Sequence, residues 1–389
     1  MCPAFPNSNP RVLLMSHFRH CALSLLLFPS IVAAGTGSPC SHWSLDIPAS
    51  GYGISFGNSA RHDGLRFNWS DDCLDEVNGL NFTLWVPGEQ MTGTINGLAI
   101  GLGAAGGDEI NGVAFGLGGV FGGRNLNGVS IGGFAVVASG DAAGITFSGM
   151  GTVVTGDLTG LNFGGLGCVC NGAMTGISIG PLGLVGQKGM TGISLGGLGT
   201  ISNGDVTGIS FGGLGLVSAG SFLGINIGGL GLVGTRGIAG VNFGGLAVVS
   251  PGQIQCITVS GLAVVGVGGI QGVTIAGAAV VSKNEISGLT ITAGAVEGTK
   301  EISGLTVAGF RTRAESVSGL DLNVITTQVE NSSGIITGLY NRVYETQNGI
   351  SIGIFNHAGS LHGLQIGLLN FAENNPAGLK ILPLLNYHF

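Results

Sequence analysis

The sequence predicts an all-β protein, a parallel β-solenoid (β-helix) with coils of about 16 residues and with N- and C-terminal caps. Three observations predict this fold. Glycine accounts for 78 of the 389 residues, far above its usual share, and only 8% of the residues are charged. Glycines recur every sixteen residues through the middle of the chain. Between these glycines apolar and small polar residues alternate, and a period of two residues is typical of a strand.

The sixteen-residue spacing continues over thirteen units without an insertion. Self-similarity at a fixed period is typical of stacked repeats, in which each unit contacts only its neighbours. We call the recurring residues the anchor glycines. They are Gly112, Gly128, Gly144, Gly160, Gly176, Gly192, Gly208, Gly224, Gly240, Gly272, Gly288 and Gly304, with Cys256 in the one remaining place.

Each unit is predicted to begin with a half-buried strand. In the unit Gly208 to Leu223 (GISFGGLGLVSAGSFL), Ile209 and Phe211 flank Ser210. Because alternation is typical of a strand with one face in the core, we predict that the apolar pair faces inward and the polar residue faces solvent. Successive coils would stack these polar residues into a surface ladder. Its members are Asn162, Ser178, Ser194, Ser210, Asn226, Asn242, Thr258, Thr274, Thr290 and Thr306.

A Gly-Gly pair then interrupts the alternation, which predicts a corner between two strands. A second apolar stretch follows, as in Leu214, Leu216 and Val217, and then a turn with glycine or an exposed polar residue. The unit closes with a further apolar column, two places before the next anchor, that includes Val206 and Phe222, and about five apolar side chains per coil are predicted to face inward. Coils of this kind stack at the spacing of hydrogen-bonded strands, about 4.8 Å.

Both ends of the chain depart from the repeat. We assign residues 1–34 to a signal peptide, because Arg11 and Arg19 precede an apolar run, Cys21 to Ala34, that ends in small residues. Residues 35–96 are predicted to form an irregular N-terminal capping segment, 97–318 the Gly-rich solenoid repeats, and 319–389 the C-terminal 15-residue repeats and cap. Caps are expected because an open solenoid end offers unpaired strand edges to other molecules.

The cysteines suggest one disulfide. Cys40 and Cys73 both lie in the N-terminal segment, and an exported chain meets an oxidising compartment, so we predict a bridge between them. Cys168 and Cys170 stand two residues apart within a repeat, and we predict that they are small buried thiols.

Three segments carry a resemblance. They are NGLNFTLW (Asn78 to Trp85), TGISFGGLGLV (Thr207 to Val217) and GLQIGLLNFAENNPAGLKILPLLNYHF (Gly363 to Phe389). Together they resemble an uncharacterised family of exported, Gly-rich surface-repeat proteins of Gram-negative-type bacteria. The resemblance covers nearly the whole chain after residue 34, and it implies export with surface or outer-membrane association. It brings no catalytic or binding residue.

The alternative fold is an outer-membrane β-barrel with one strand per sixteen residues. The positive mean hydropathy and the alternating apolar residues before Phe389 favour it. Against it, a barrel of antiparallel strands would repeat as a hairpin, and aromatic girdles are missing because the sequence has only 4 Tyr and 3 Trp. The solenoid is therefore the preferred prediction.

The sequence shows no arrangement of catalytic residues, no cofactor motif and no metal-ligand spacing, so we predict neither an enzyme nor a cofactor. The nearest cluster is His62 and Asp63 with Asp71, Asp72, Asp75 and Glu76, for which a solvated acidic cap is preferred over a divalent-cation site. A formal net charge of −7 argues against nucleic acid as a partner.

Two functional hypotheses follow. The first is a non-enzymatic, exported surface or periplasmic structural protein, a rigid rod whose partner is another protein or a surface polysaccharide. The second is a ligand-binding solenoid for ice or crystalline polysaccharide, which would use the polar ladder together with a neighbouring column of threonines, Thr159, Thr175, Thr191 and Thr207. Outer-membrane association is the further expectation for the compartment.

Overall fold

A computed structural model of the protein describes residues 43–49, 51–88 and 91–389, and over these residues every regular element is a strand. The strands form a β-solenoid of about 19 turns, so the predicted fold class is confirmed. Successive coils pair in parallel and in register, with antiparallel pairs described only between the first two and the last two strands. The barrel alternative is therefore not the architecture. The predicted signal peptide, residues 1–34, lies outside the described residues.

The first coils are built from single strands that become longer along the chain. They are β1 (Ser44–Ala49), β2 (Tyr52–Gly57), β3 (Arg61–Asn68), β4 (Glu76–Thr83), β5 (Thr94–Gly101), β6 (Ala104–Gly116) and β7 (Gly119–Gly132). Strands β2 to β5 already pair in parallel, with Gly53, Gly64, Gly79 and Gly97 in register. Stacking thus begins within the segment 35–96 that we had assigned to an irregular cap.

The middle of the solenoid alternates a short strand with a long strand in each coil. The short strands are β8 (Ala135–Ala138), β10 (Gly151–Val154), β12 (Gly167–Cys170), β14 (Gly183–Gly186), β16 (Gly199–Ser202), β18 (Gly215–Ser218), β20 (Gly231–Gly234), β22 (Ala247–Ser250), β24 (Ala263–Gly266), β26 (Ala279–Ser282) and β28 (Ala295–Gly298). The long strands are β9 (Ala142–Ser148), β11 (Leu158–Gly164), β13 (Ala173–Gly180), β15 (Gly189–Gly196), β17 (Val206–Gly212), β19 (Ser221–Gly228), β21 (Gly237–Gly244), β23 (Gln253–Ser260), β25 (Ile270–Ala276), β27 (Ile286–Thr292) and β29 (Glu301–Ala308). Short strands pair with short strands and long strands with long ones.

The last coils merge the two kinds of strand. They are β30 (Arg311–Asn323), β31 (Thr326–Thr337), β32 (Tyr340–Ile352) and β33 (Phe355–Ala372), and the antiparallel β34 (Ile381–His388) covers the final coil. Each covering strand carries a proline, Pro48 in β1 and Pro383 in β34. Proline lacks a backbone N–H, so it hinders further strand pairing at each end of the stack.

Anchor glycines hold the coils in register. Gly208 has φ of +114°, and a Cβ on it would lie 2.2 Å from the carbonyl oxygen of Gly192 in the coil before. Both facts exclude a side chain, because the conformation favours glycine and the neighbouring coil leaves no room. Cys256 is the one residue other than glycine in this column from Gly112 to Gly304, with φ of 74°.

Two apolar columns lie inside the middle coils. The first column consists of the residues two places before the anchors, as predicted. Its members are Leu158, Met174, Met190, Val206, Phe222, Ile238, Ile254, Ile270, Ile286 and Ile302. The second comes from the short strands, for example Leu184, Leu216 and Val248. All of these side chains are at most 1% exposed, so they form the apolar part of the core.

Candidate functional site

The predicted surface ladder lies inside the solenoid, which corrects our assignment of its facing. The residues Asn162, Ser178, Ser194, Ser210, Asn226, Asn242, Thr258, Thr274, Thr290 and Thr306 are between 0 and 4% exposed. The alternation was recognised correctly, but its two faces were exchanged. Alternation shows that neighbours point to opposite faces, and it does not show which face is inside. The neighbouring threonines from Thr159 to Thr207 do face outward.

Hydrogen bonds link members of this internal ladder from coil to coil. The Nδ2 of Asn226 donates to Oδ1 of Asn242 over 2.9 Å, and Nδ2 of Asn162 donates to Oγ of Ser178 over 3.4 Å. In the C-terminal coils a second internal ladder joins Asn341, Asn356 and Asn370, with Nδ2 to Oδ1 distances of 2.8 Å at both steps. Neighbouring coils supply partners for these amide groups, whereas Oγ of Ser210 and Oγ1 of Thr258 are buried without a hydrogen-bond partner.

The same register column continues toward both ends and there takes charged residues. Arg66 stands in it on β3, completely buried, and its guanidinium contacts the carboxylate of Asp71. Arg66 also donates to Oδ1 of Asn81 over 2.6 Å and to Oδ1 of Asn58 over 2.6 Å. Asn81 and Thr83 donate in turn to Asp71. Nε of Arg66 has no hydrogen-bond partner, but the other contacts of this buried ion pair are all internal, so it is a structural cluster.

This cluster divides the acidic group noted in the sequence. Asp71 is buried beside Arg66 and His62 is buried against the carbonyl of Gly53, whereas Asp75 and Glu76 are exposed. The expected solvated acidic cap is thus wrong for Asp71. Within the described part of the chain, no group of three or more His, Cys, Asp or Glu side chains is placed to hold a metal ion.

Asp321 is the member of the column that follows Thr306, on β30. Its carboxylate accepts hydrogen bonds from Oγ1 of Thr312 over 3.0 Å and from Oγ1 of Thr327 over 2.9 Å. Burial raises the pKa of Asp321 to about 6, against the lowering by these two hydroxyls.

Large apolar side chains cover most of the outer surface. In the coil of Gly208, Ile209, Phe211, Leu214 and Val217 are each between 41 and 53% exposed, and Leu223 is exposed near the turn. The first four residues belong to four outward columns, two on the long strands, one at the corner and one on the short strands. We call these four columns between residues 142 and 296 the apolar exterior.

The corner contributes the most exposed of these columns. Gly213 precedes it, and a Cβ there would lie 1.9 Å from the carbonyl oxygen of Gly197, so the backbone turns sharply at glycine. The corner backbones bond from coil to coil, for example Leu230 N–H to the carbonyl of Leu214 over 2.7 Å. The leucine side chains are 43–53% exposed and define the corner column: Leu166, Leu182, Leu198, Leu214, Leu230, Leu246 and Leu262.

Charge is confined to the remaining edge of the solenoid. Every charged residue between positions 142 and 296 lies in a turn that joins a short strand to the next long strand. We call these turns the turn edge. Its charged residues are Asp157, Lys188, Asp205, Arg236, Lys283 and Glu285.

No family model, curated protein or solved structure matches this chain. The resemblance to exported surface-repeat proteins therefore stays a prediction.

The outer surface of the described residues includes shallow depressions. One, of about 390 Å³, lies between the corner column and the short strands, and Leu182, Leu198, Leu214, Ile201 and Val217 are among its lining residues. Another, also about 390 Å³, lies on the first coils. Its lining includes Phe56, Phe67, Trp69 and Phe82 in stacked columns, and Trp69 stacks on Trp85 with ring centroids 6.2 Å apart.

Among the described cysteines, Cys168 and Cys170 are free and buried and Cys256 is free and exposed. Cys168 and Cys170 are completely buried, as predicted, and burial raises the pKa of the Cys168 thiol to about 11. Cys73 takes part in a disulfide bond, while Cys40 lies outside the described residues, so the Cys40–Cys73 pairing stays a prediction. Among the residues described, none forms a helix long and apolar enough to cross a membrane.

Sequence reasoning missed the apolar exterior, although the sequence contained a sign of it. A coil with both columns of large apolar residues inside, as well as the column two places before the anchor, would need a wide core. The corners every few residues instead give a narrow interior, which accepts the small Ser, Thr and Asn side chains more readily. Arg66 and Asp321 were not recognised as members of the column because the other members of the column are uncharged.

Proposed function

We propose that the chain is a non-enzymatic, exported structural protein of the cell surface, outer membrane or periplasm of a Gram-negative-type bacterium, and that it acts through the outer surface of a rigid β-solenoid. The observation that carries the proposal is the apolar exterior. Monomeric proteins that work in water seldom expose a contiguous apolar patch above a few hundred Å², and larger patches mark interaction surfaces. A protein, a surface polysaccharide or the outer membrane is the class of partner.

The internal ladders support the rigidity of this surface. Parallel pairing in register fixes each coil relative to the next, and side-chain hydrogen bonds such as that between Asn226 and Asn242 reinforce some of the steps. The apolar side chains on the outside therefore keep a regular spacing of about 4.8 Å along the solenoid. A fixed and repetitive surface suits a structural or scaffolding role. The ice or polysaccharide ladder is not proposed, since its ten members are buried.

Export is supported by the leader-like sequence of residues 1–34. The test is to express the full chain with its own leader in a Gram-negative host and to determine the N-terminus of the protein in each cell fraction. We expect a mature chain that begins at Gly35 in the envelope fractions. A matched variant with Leu25→Arg and Leu27→Arg interrupts the apolar run and should stay unprocessed in the cytosol. Full-length wild-type chain in the cytosol would refute the proposal of export.

A further inference from the structure

We propose that the apolar exterior is a lipid-contact surface, and that the corner column lies in the acyl region of one leaflet while the turn edge faces water. This inference rests on the proposed function, because it names the partner of the outer surface. The polarity of the inner and outer columns, the distribution of charged residues and the shape of the apolar exterior support it.

The long strands of the middle coils have a polar inner column and apolar outer columns. In the middle coils the internal ladder consists of Ser, Thr and Asn, while Ile, Phe, Leu and Val stand outside. Two further apolar columns fill the core, so large apolar residues lie both inside and outside these coils, whereas such residues are usually the most often buried. When acyl chains surround an apolar exterior, its side chains are not exposed to water, so they carry no cost of apolar hydration. The strands pair in register between coils, and corner N–H groups such as that of Leu230 also donate to the coil before, which reduces the cost of placing this backbone in an apolar medium.

The distribution of charge gives an orientation. The six charged residues between positions 142 and 296 all lie on the turn edge, so the four outward columns carry none over these coils, and the short-strand column takes its first charge in the next coil, at Glu297. A charge-free surface complements acyl chains, because a charged side chain is costly within them. The turn edge can remain hydrated at the same time. With a net charge of −7 the chain is not drawn to anionic headgroups, so the attraction is to the apolar part of the leaflet.

The surface is large enough for a second copy of the chain, but its shape favours lipid. At about 4.8 Å per coil and about 3.3 Å per residue, the four columns cover roughly 1,500 Å². A stable dimer needs about 800 Å² from each partner. The apolar exterior bends around the corner from the long strands to the short strands, and the corner leucines protrude most. A flat partner would cover one of the two sheets and leave the corner in water. Acyl chains adapt to a convex edge, and the apolar depression beside Leu198 can accept one.

The experiment is flotation of the purified full chain with phosphatidylcholine vesicles, at low and at high salt. We expect the wild type to float with the vesicles at both salt concentrations. The test variant is L182Q/L214Q/L246Q, which changes corner leucines in alternate coils. We expect it to bind vesicles at least tenfold more weakly, with an unchanged far-ultraviolet circular dichroism spectrum because these side chains are outside the core.

Leu223 supplies the matched control. It is 54% exposed, as Leu214 is 53% exposed, but it lies in the polar column of Thr207, between the turn edge and the anchor column. Leu214→Gln should weaken vesicle binding, and Leu223→Gln should weaken it much less. Equal binding by the wild type and the triple variant would overturn the lipid-contact surface.

Other outcomes separate this inference from the proposed function. If the wild type stays unbound to vesicles and sediments as a defined oligomer that the triple variant dissociates, the partner is a second copy. The lipid inference is then wrong and the interaction surface stands. If the wild type is a monomer without detergent and does not bind vesicles, the lipid inference is wrong. The proposed function is then decided by the fractionation test, because its partner can also be another protein or a surface polysaccharide.

Discussion

Asp321 occupies a place in the internal column where most of the middle coils have serine, threonine or asparagine. Arg66 and Asp71 satisfy each other near the N-terminal end, but the hydrogen bonds to Asp321 come from two neutral hydroxyls. Burial without a nearby cation disfavours the charged carboxylate, which is why its pKa rises to about 6. The free-energy cost of burying Asp321 therefore depends on pH.

We predict that Asp321→Asn stabilises the protein at neutral pH. The folded pKa, about 6, lies above the ordinary value of 3.8, so the folded state binds the proton more tightly than the unfolded state does. Stability from this group is therefore full below about pH 4 and is lost as pH rises through 6. At pH 7 the variant should gain up to about 3 kcal/mol in the free energy of unfolding.

The measurement is urea unfolding of the wild type and D321N between pH 4 and pH 8. The difference between the two should grow with pH and level off above about pH 7. Glu330→Gln, which changes an exposed acid on β31, is the control and should have little effect. A variant less stable than the wild type at pH 7 would contradict the assignment of Asp321 as an uncompensated buried acid.

Within an element, glycine positions differ in what they require. The anchor glycines combine a positive φ with a close approach to the coil before. Gly215, on the short strand β18, has neither constraint. A Cβ on Gly215 would make one contact, with the carbonyl oxygen of Gly231 at 3.2 Å. Alanine occupies the same register position in later coils, at Ala247 and Ala263.

We predict that Gly208→Ala lowers the free energy of unfolding by about 3 kcal/mol or more, because it adds backbone strain to a contact with the neighbouring coil. The matched change Gly215→Ala should cost no more than about 1 kcal/mol. Thermal and urea unfolding followed by circular dichroism give both values. Equal losses for the two variants would show that the anchor conformation is not the source of the requirement.

The whole molecule behaves as a stack of equivalent coils. Each middle coil contacts the coil before it and the coil after it, so its stability is approximately a sum over coils and their interfaces. The polar and apolar columns run through the stack only if each coil contributes the same number of residues. Length changes are therefore tolerated in steps of one coil.

We predict that deletion of the sixteen residues 208–223 leaves a folded solenoid that is one coil shorter. Thr207 would then be followed by Gly224, which is an anchor glycine, and the midpoint of thermal unfolding should change by no more than about 5 °C. Deletion of residues 208–215 puts Leu216 at the anchor place. That variant should lose more than about 10 °C or fail to fold, as measured by circular dichroism. Similar behaviour of the two deletions would contradict the stacking register.

Much of the fold was predictable because the chain repeats itself. The spacing of Gly208 from its neighbours predicted the coil length, the Gly-Gly pair predicted the corner, and the column of Val206 and Phe222 was placed in the core correctly. The candidate site was not predictable in this way. Ile209, Ser210 and Phe211 alternate equally well in either orientation, and our choice assumed that the larger apolar residues face the core.

The sequence by itself determined that the chain is a stack of sixteen-residue parallel coils, because a repeat in sequence must become a repeat in structure. It also determined that Ser210 and its equivalents form one ladder. Only the tertiary structure decided that the ladder is internal and the leucine corner external. The reason is that the bend at each anchor glycine sets which face of the following strand points into the coil, and that direction depends on how the corners close around a narrow core.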